Sequence, residues 1–254
     1  MINKEKIKFP EVPVKKFERV SVDADNTCWD ICGPSLNYLN QTFGVEFSKD
    51  QISEYWYFQV FLEELGISKE EIKQHIHEAY RRPDDHNRVY RDSKAFPGMV
   101  EVLSDINQME LDLLVLTSRP PGLDAVLAQQ FEAVGIEIGR DWVEGGNILI
   151  RDKEYWEKMS GAEFKWRAIR GDFKYGKYRD FPGIDCHFDD QGSLLDHQLA
   201  EGFQDRLMIV AWGFNQRLIE MVPEDKRLSD WWQFGQLVRV GARGELFNPT
   251  NVAQ

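Results

Sequence analysis

The sequence predicts an α/β fold, a doubly wound parallel sheet of Rossmann-like architecture, and three observations carry that prediction. Short apolar strands alternate with amphipathic helical patterns along most of the chain. Several of these strands stop at Asp, Thr or Ser, and in an open parallel sheet the carboxyl edge is where ligands bind. An all-helical stretch, 28–96, follows the first strand directly and reads as a small cap inserted into a core made of 1–27 and 97–254.

The first strand is the run Arg19-Val20-Ser21-Val22, which ends in Asp23-Ala24-Asp25-Asn26-Thr27. Carboxylates spaced i, i+2 at a strand end point to the same side. Asp, Asn and Thr are also good turn and cap residues, so this stretch alone does not separate a site from a turn. Gly33-Pro34 then opens a helix with Leu36, Leu39 and Phe43 on one face. Ser48 with Gln51 makes a capping box ahead of Ile52 to Leu65, and Ser68 with Glu71 makes another ahead of Ile72, Ile76 and Ala79. The aromatic cluster Tyr55, Trp56, Tyr57 and Phe58 suits a core better than a ligand site. The stretch Arg81 to His86 is polar and loop-like.

Pro97-Gly98 opens a helix over 99–109, with Pro near the first helical position. Leu111 to Leu116 is nearly continuous in apolar residues, as a buried parallel strand requires, and it ends in Thr117-Ser118-Arg119-Pro120. A helix over 123–134 closes at Gly135. The pattern over 139–160 is weaker, with a short strand at Ile148-Leu149-Ile150. A helix over 162–169 carries Lys165, and 171–183 reads as loop with Lys174 and Lys177. Ile184 to Phe188 is the next strand and terminates in Asp189-Asp190. A helix over 193–202, a strand over 207–211 and a last helix starting near Leu228 complete the pattern, with fraying expected from about Gly241.

Composition narrows the partners. The chain has 254 residues, 42% of them hydrophobic, which is enough for one large core or one core with an accessory domain. Thirty-one basic residues against 43 acidic ones give a formal charge of -12, which disfavours duplex nucleic acid as a partner. An anionic substrate would then need a local device: a metal ion, a Lys or a helix N-terminus. Cys28, Cys32 and Cys186 are few and odd in number, which fits a reducing cytoplasm. A zinc site from Cys28, Cys32, Cys186 and His187 has unusual spacing, and buried thiols are the better reading. No apolar run reaches transmembrane length, and the lysines of the first sixteen residues surround no secretory segment. A cytoplasmic protein off the membrane is expected, with homodimerisation left open.

Three strand ends are thus expected to converge: Asp23/Asp25, Thr117/Ser118 and Asp189/Asp190. Carboxylates gathered at one edge repel, and the simplest neutraliser is a hard cation on oxygen ligands, above all magnesium. Such an ion would draw in a phosphate dianion. Asp23 could attack phosphorus, Asp25 could move the proton, and a hydroxyl such as Thr117 with an ammonium could hold the phosphoryl oxygens.

On these residues the chain resembles the haloacid dehalogenase superfamily of phosphotransferases over roughly Val20 to Val238. The resemblance implies a nucleophile at Asp23, a general acid/base at Asp25 and phosphate binding at Thr117, with Ser118 beside it. It implies a magnesium site drawn from Asp23, Asp25, Asp189 and Asp190. The third motif is a single Lys: Lys165 lies where the family usually places it, with Lys174, Lys177 and the more distant Lys153 as competitors. Retention of an acid at Asp25 resembles phosphatases and phosphomutases, so a phosphatase is the expected activity. A finer resemblance is to the 5'(3')-deoxyribonucleotidase branch, through the helical cap, the Thr-Ser pair followed by Pro, and a tail of Phe214-Asn215 and Arg227 to Trp231. Arg119 interrupts the Thr-Ser-Pro run, 139–160 is longer than that branch needs, and Trp212-Gly213-Phe214 replaces a Pro-Tyr. With a nucleotide, Trp56, Phe58 or Phe61 could stack on the base, and Arg81 and Arg82 could meet a second anionic group. A sugar phosphate, a nucleic-acid 3'-phosphate end, or a non-catalytic phosphate-binding role on the same fold are the alternatives.

Overall fold

The computed structural model describes residues 16–53, 56–81, 88–139, 141–191, 194, 207–210 and 227–245. Six strands form one sheet: β1 (Arg19–Val22), β4 (Asp112–Thr117), β5 (Ile148–Ile150), β6 (Cys186–Asp189), β7 (Leu207–Val210) and β8 (Arg227–Leu228). Their spatial order is β5-β4-β1-β6-β7-β8 and every neighbouring pair is parallel. The first strand therefore lies inside the sheet, with chain running outward from it on both sides. This is the doubly wound arrangement expected from the sequence.

The pleat sorts the strand residues onto two faces. Val20, Val22, Leu113, Val115, Cys186 and Phe188 pack with α5 (Met99–Asn107), α6 (Asp124–Glu132) and α9 (Trp231–Ala242). Leu114, Leu116 and Leu149 pack on the other side with α7 (Lys153–Lys158), α8 (Gly161–Arg170) and the loop residues Phe173, Tyr178 and Phe181. The second face also carries Ser21 and His187, which alternate with the first set along their strands.

Between β1 and α5 the chain builds α1 (Cys32–Phe43), α2 (Tyr57–Glu64), α3 (Lys69–Ile76) and α4 (Arg88–Asp92). The ends of this helical stretch are tied by a short antiparallel pair, β2 (Trp29–Asp30) with β3 (Lys94–Ala95). The buried apolar residues of α1, α2 and α3 are continuous with those of the α5/α6/α9 face. Phe58 and Phe61, considered above for base stacking, are buried: Phe58 packs on Tyr38 and Tyr80, Phe61 on Phe47 and Tyr57. Trp56 is 70% exposed.

Several boundaries differ from expectation for physical reasons. The Ser48–Gln51 box forms, with Ser48 N–H donating to Gln51 Oε1 at 2.7 Å, but it closes only a 3₁₀ turn, Lys49–Gln51, because Ile52 is already extended. The helix expected from Ile52 begins at Tyr57 instead. The Ser68–Glu71 box caps α3 as expected. Leu228 is in β8 rather than in the last helix, whose cap is Asp230, accepting from Gln233 N–H at 2.9 Å. That helix runs through Gly241, where fraying was expected, since Gly241 is buried against Phe17. The weak segment 139–160 supplies the edge strand β5 and α7, whose Tyr155 is fully buried. Tyr55, the polar stretch 82–86, the helix expected over 193–202 (apart from Leu194) and Trp212 to Asn215 lie outside the described residues. Among the described residues no helix is long and apolar enough to cross a membrane.

Candidate active site

Asp23 follows β1 directly and its N–H donates to Phe188 O at 2.8 Å, so it stands level with the end of β6. Alternation along both strands puts Asp23 and Asp189 on the α8 face of the sheet, the face that Ser21 and His187 share. Lys165 sits on the buried side of α8, one turn in from its start, and is 1% exposed. Its Nζ lies 2.6 Å from Asp23 Oδ1 and 2.8 Å from Asp189 Oδ2. An ammonium buried this deeply requires such partners. The competing lysines go elsewhere: Lys177 pairs with Asp141, and Lys153 and Lys174 are exposed.

Asp190 completes the cluster. Asp23, Asp189 and Asp190 are all buried, and one oxygen from each falls within 4.8 Å of the others. Burial pushes the Asp23 carboxyl up, with Lys165 opposing and Asp189 and Asp25 reinforcing. Burial likewise pushes Asp190 well up, reinforced by Asp23 and Asp189. Burial raises Asp189 too, but Lys165 and His187 overcome it and hold that group below the ordinary carboxylate range. Three carboxylates against one ammonium leave the cluster short of positive charge, which adds to burial in favouring the protonated forms of Asp23 and Asp190. A donor set of carboxylate oxygens alone suits a hard divalent cation rather than a soft metal.

The turn that carries these residues is well braced. Asn26 adopts φ 60, a conformation Asn tolerates, and its Oδ1 accepts from the N–H groups of Ile31 and Cys32 at 3.2 Å each. Trp231 Nε1 donates to Thr27 O at 2.9 Å, so the described part of the expected tail supports the acidic turn from α9.

Asp25 stands outside the carboxylate trio. Its carboxylate is taken by Arg119, with Nε at 2.8 Å and Nη2 at 2.7 Å, both on Oδ1. Asp25 is therefore not one of the three clustered carboxylates. Thr117 ends β4 two residues beyond Val115, the partner of Val22, and is 1% exposed. Its Oγ1 accepts from Arg119 N–H at 3.2 Å. Ser118 borders the start of α8, where Gly161 has no room for a Cβ: one would sit 2.7 Å from Ser118 Cβ. Ser118 O accepts from Arg151 Nη2 at 3.3 Å.

Two participants escaped the sequence reading as site residues. His187 bridges Ser21 and Asp189 beneath the cluster. Its signal was legible, since it precedes Asp189 by two on a strand and so shares its face. Arg119 was visible only as an interruption after Thr117-Ser118, and nothing local pointed it at a residue 94 positions away. The zinc alternative finds no support, because His187 is engaged by Ser21 and Asp189 and the three Cys are buried free thiols.

No family model matches the chain, and no curated protein matches it. Solved structures do. A haloacid dehalogenase-like family hydrolase from Streptococcus pneumoniae superposes with a TM-score of 0.56 at 14% identity, over 87% of this chain and 98% of that one. A predicted phosphoglycolate phosphatase from Haemophilus somnus gives 0.56 at 13%, over 88% and 98%. A haloacid dehalogenase superfamily hydrolase of subfamily IA from Geobacter sulfurreducens gives 0.50 at 14%, over 88% and 97%. At these identities the likeness is one of fold: the chain has the Rossmann-like α/β fold of haloacid dehalogenase-type hydrolases.

Proposed function

We propose that this protein is a magnesium-dependent phosphomonoesterase working through an aspartyl-phosphate intermediate, in a cytoplasmic setting. The single observation that carries the reading is Lys165 Nζ placed between Asp23 and Asp189, with Asp190 alongside, at the carboxyl edge of a parallel sheet. The charge deficit of that cluster fits a divalent cation held by Asp23, Asp189 and Asp190. Magnesium bound there would offset the charge of a phosphate dianion and of the transferring phosphoryl group.

The chain's own residues supply the rest. An Asp23 carboxylate oxygen attacks phosphorus, forming an O–P bond as the ester O–P bond breaks. Asp25 gives its proton to the departing ester oxygen, and the leaving alcohol is released neutral. Asp25 then takes a proton from the incoming water, whose oxygen bonds to phosphorus as the Asp23 O–P bond breaks, freeing inorganic phosphate. Lys165 keeps Asp23 oriented and offsets charge, while Thr117 and Ser118, at the end of β4, supply hydroxyls for the phosphoryl oxygens. The helical stretch 28–96 serves as a cap that excludes water from the intermediate.

The substrate we favour is a small phosphate monoester of the nucleoside monophosphate class, on the resemblance of the Thr-Ser-x-Pro run and of Arg227 to Trp231 to the deoxyribonucleotidase branch. Trp56, exposed on the helical stretch, is the aromatic left for a base; the side chains of Arg81 and Arg82 lie outside the described residues. Another small monoester, such as a sugar phosphate, is the second reading, and likeness to a predicted phosphoglycolate phosphatase supports a substrate that is not a nucleotide. The deciding measurement is magnesium-dependent phosphate release from nucleoside monophosphates and sugar phosphates, with Asp23→Asn run alongside. Turnover in wild type and none in the variant is expected. Release from no monoester while magnesium binds would leave a phosphate-binding protein.

A further inference from the structure

Arg119 is the largest fully buried side chain among the described residues, and its guanidinium meets three groups. Nε and Nη2 hold Asp25 Oδ1, Nη1 donates to Gln130 Oε1 at 2.7 Å, and the plane lies 3.9 Å over the Tyr90 ring centre. Gln130 in turn donates through Nε2 to Tyr90 O and to Ser93 Oγ, both at 2.7 Å. Tyr90 and Ser93 belong to the segment that returns from the helical stretch to β3. Thus one cation from the end of β4 joins Asp25 to the return path of the insert, with α6 supplying the bridge. Burying an arginine is costly unless it is partnered, and this one has the Asp25 ion pair, the Gln130 hydrogen bond and the Tyr90 ring, with Nη2 held by charge and not by an aligned hydrogen bond.

We propose that Arg119 is the positioning residue for the proton-transferring acid: it clamps Oδ1 of Asp25, so that Oδ2 carries the proton to the leaving oxygen, and it locks that geometry to the seated return segment 88–95 of the insert. This deepens the phosphomonoesterase reading and rests on it. Asp25 is 27% exposed at its side chain, so without the clamp it would swing into solvent. Lysine cannot replace the arginine, because a single ammonium does not span Asp25 and Gln130 from one planar group lying over a ring.

The test compares two leaving groups and adds a readout that needs no turnover. Glycerol 2-phosphate must have its leaving oxygen protonated; p-nitrophenyl phosphate departs as a stable phenolate. Arg119→Met, Arg119→Ala, Arg119→Lys and Gln130→Ala are assayed on both with magnesium. We expect Arg119→Met to lose about 100-fold more on glycerol 2-phosphate than on p-nitrophenyl phosphate, the scale of a general acid put out of place. Arg119→Lys should show the same bias in weaker form, and guanidinium chloride should restore part of the loss in Arg119→Ala. Equal losses on both substrates would overturn the proposal. Hydrogen exchange of 24–31 and 88–95 should accelerate together in Arg119→Met and in the milder Gln130→Ala, which keeps the Asp25 contact. Unchanged exchange in both segments would overturn the clamp. Wild type that hydrolyses neither these esters nor any nucleoside monophosphate or sugar phosphate would instead defeat the phosphatase reading and the acid role with it, while coupled exchange would still establish the clamp.

Discussion

His187 and Asp189 face the same way from one strand, and His187 Nε2 lies 2.7 Å from Asp189 Oδ2. Asp189 is held ionised and a carboxylate only accepts, so Nε2 donates and Nδ1 accepts from the Ser21 hydroxyl at 2.8 Å. Burial holds the imidazole below its ordinary pKa, which keeps it neutral and fixes this tautomer. Ser21, His187, Asp189, Lys165 and Asp23 therefore form one buried chain of contacts under the site. Replacing His187 by Gln is expected to weaken magnesium binding about 10- to 100-fold, the usual effect of loosening the support of a ligand. Calorimetric titration with magnesium measures it, and unaltered affinity would dismiss the role.

Lys165→Met should destabilise the metal-free protein at neutral pH by about 3–5 kcal/mol, because it strips a buried ionic cluster of its cation. The loss should shrink in acid, where Asp189, the carboxylate that Lys165 helps hold ionised, takes a proton once that cation is gone. Urea unfolding at the two pH values distinguishes this from a pure packing defect, which would cost the same at both.

Proton linkage gives a third expectation. The Asp23 carboxyl is pushed up from 3.8 to about 8, chiefly by burial. An acid with a raised folded-state pKa binds more protons folded than unfolded, so stability falls as pH rises through that interval. Without divalent cations the Tm should drop from about pH 5 to about pH 8, and magnesium should remove most of the drop while releasing protons. Thermal scans with and without magnesium check both statements. A Tm of the metal-free protein that rises over that range would contradict the charge-deficient cluster.

Gly171 ends α8, the helix that carries Lys165, with φ 69. A Cβ there would lie 2.6 Å from both Gly183 N and Pro182 C, backbone atoms that cannot step aside. Gly171→Ala is expected to cost about 2–3 kcal/mol, with reduced turnover as α8 shifts. Gly66→Ala, also at positive φ but with open space around it, is the control and should cost less.

Read along the chain, the acidic turn after Val22, the Thr117 strand end, the Asp189-Asp190 pair and the helix bearing Lys165 are all determined by local pattern. Each is a run of apolar residues with a polar terminus, and strand periodicity alone says that Asp23 shares a face with Ser21 and Asp189 with His187. Tertiary structure decided what those residues meet. Lys165 is selected over Lys153, Lys174 and Lys177 because α8 packs on the face that carries Asp23 and Asp189, a matter of strand order that no short window contains. Arg119 reaches Asp25 because β1 and β4 are neighbours in the sheet, though they are far apart in the sequence. The Ser48–Gln51 box shows the same limit from the other side: its local signal formed as written, and the helix it promised still began at Tyr57. Local pattern decides which residues end a strand or start a helix, whereas the charge partners that tune a site come from non-local packing, where burial makes each unpaired charge too costly to keep.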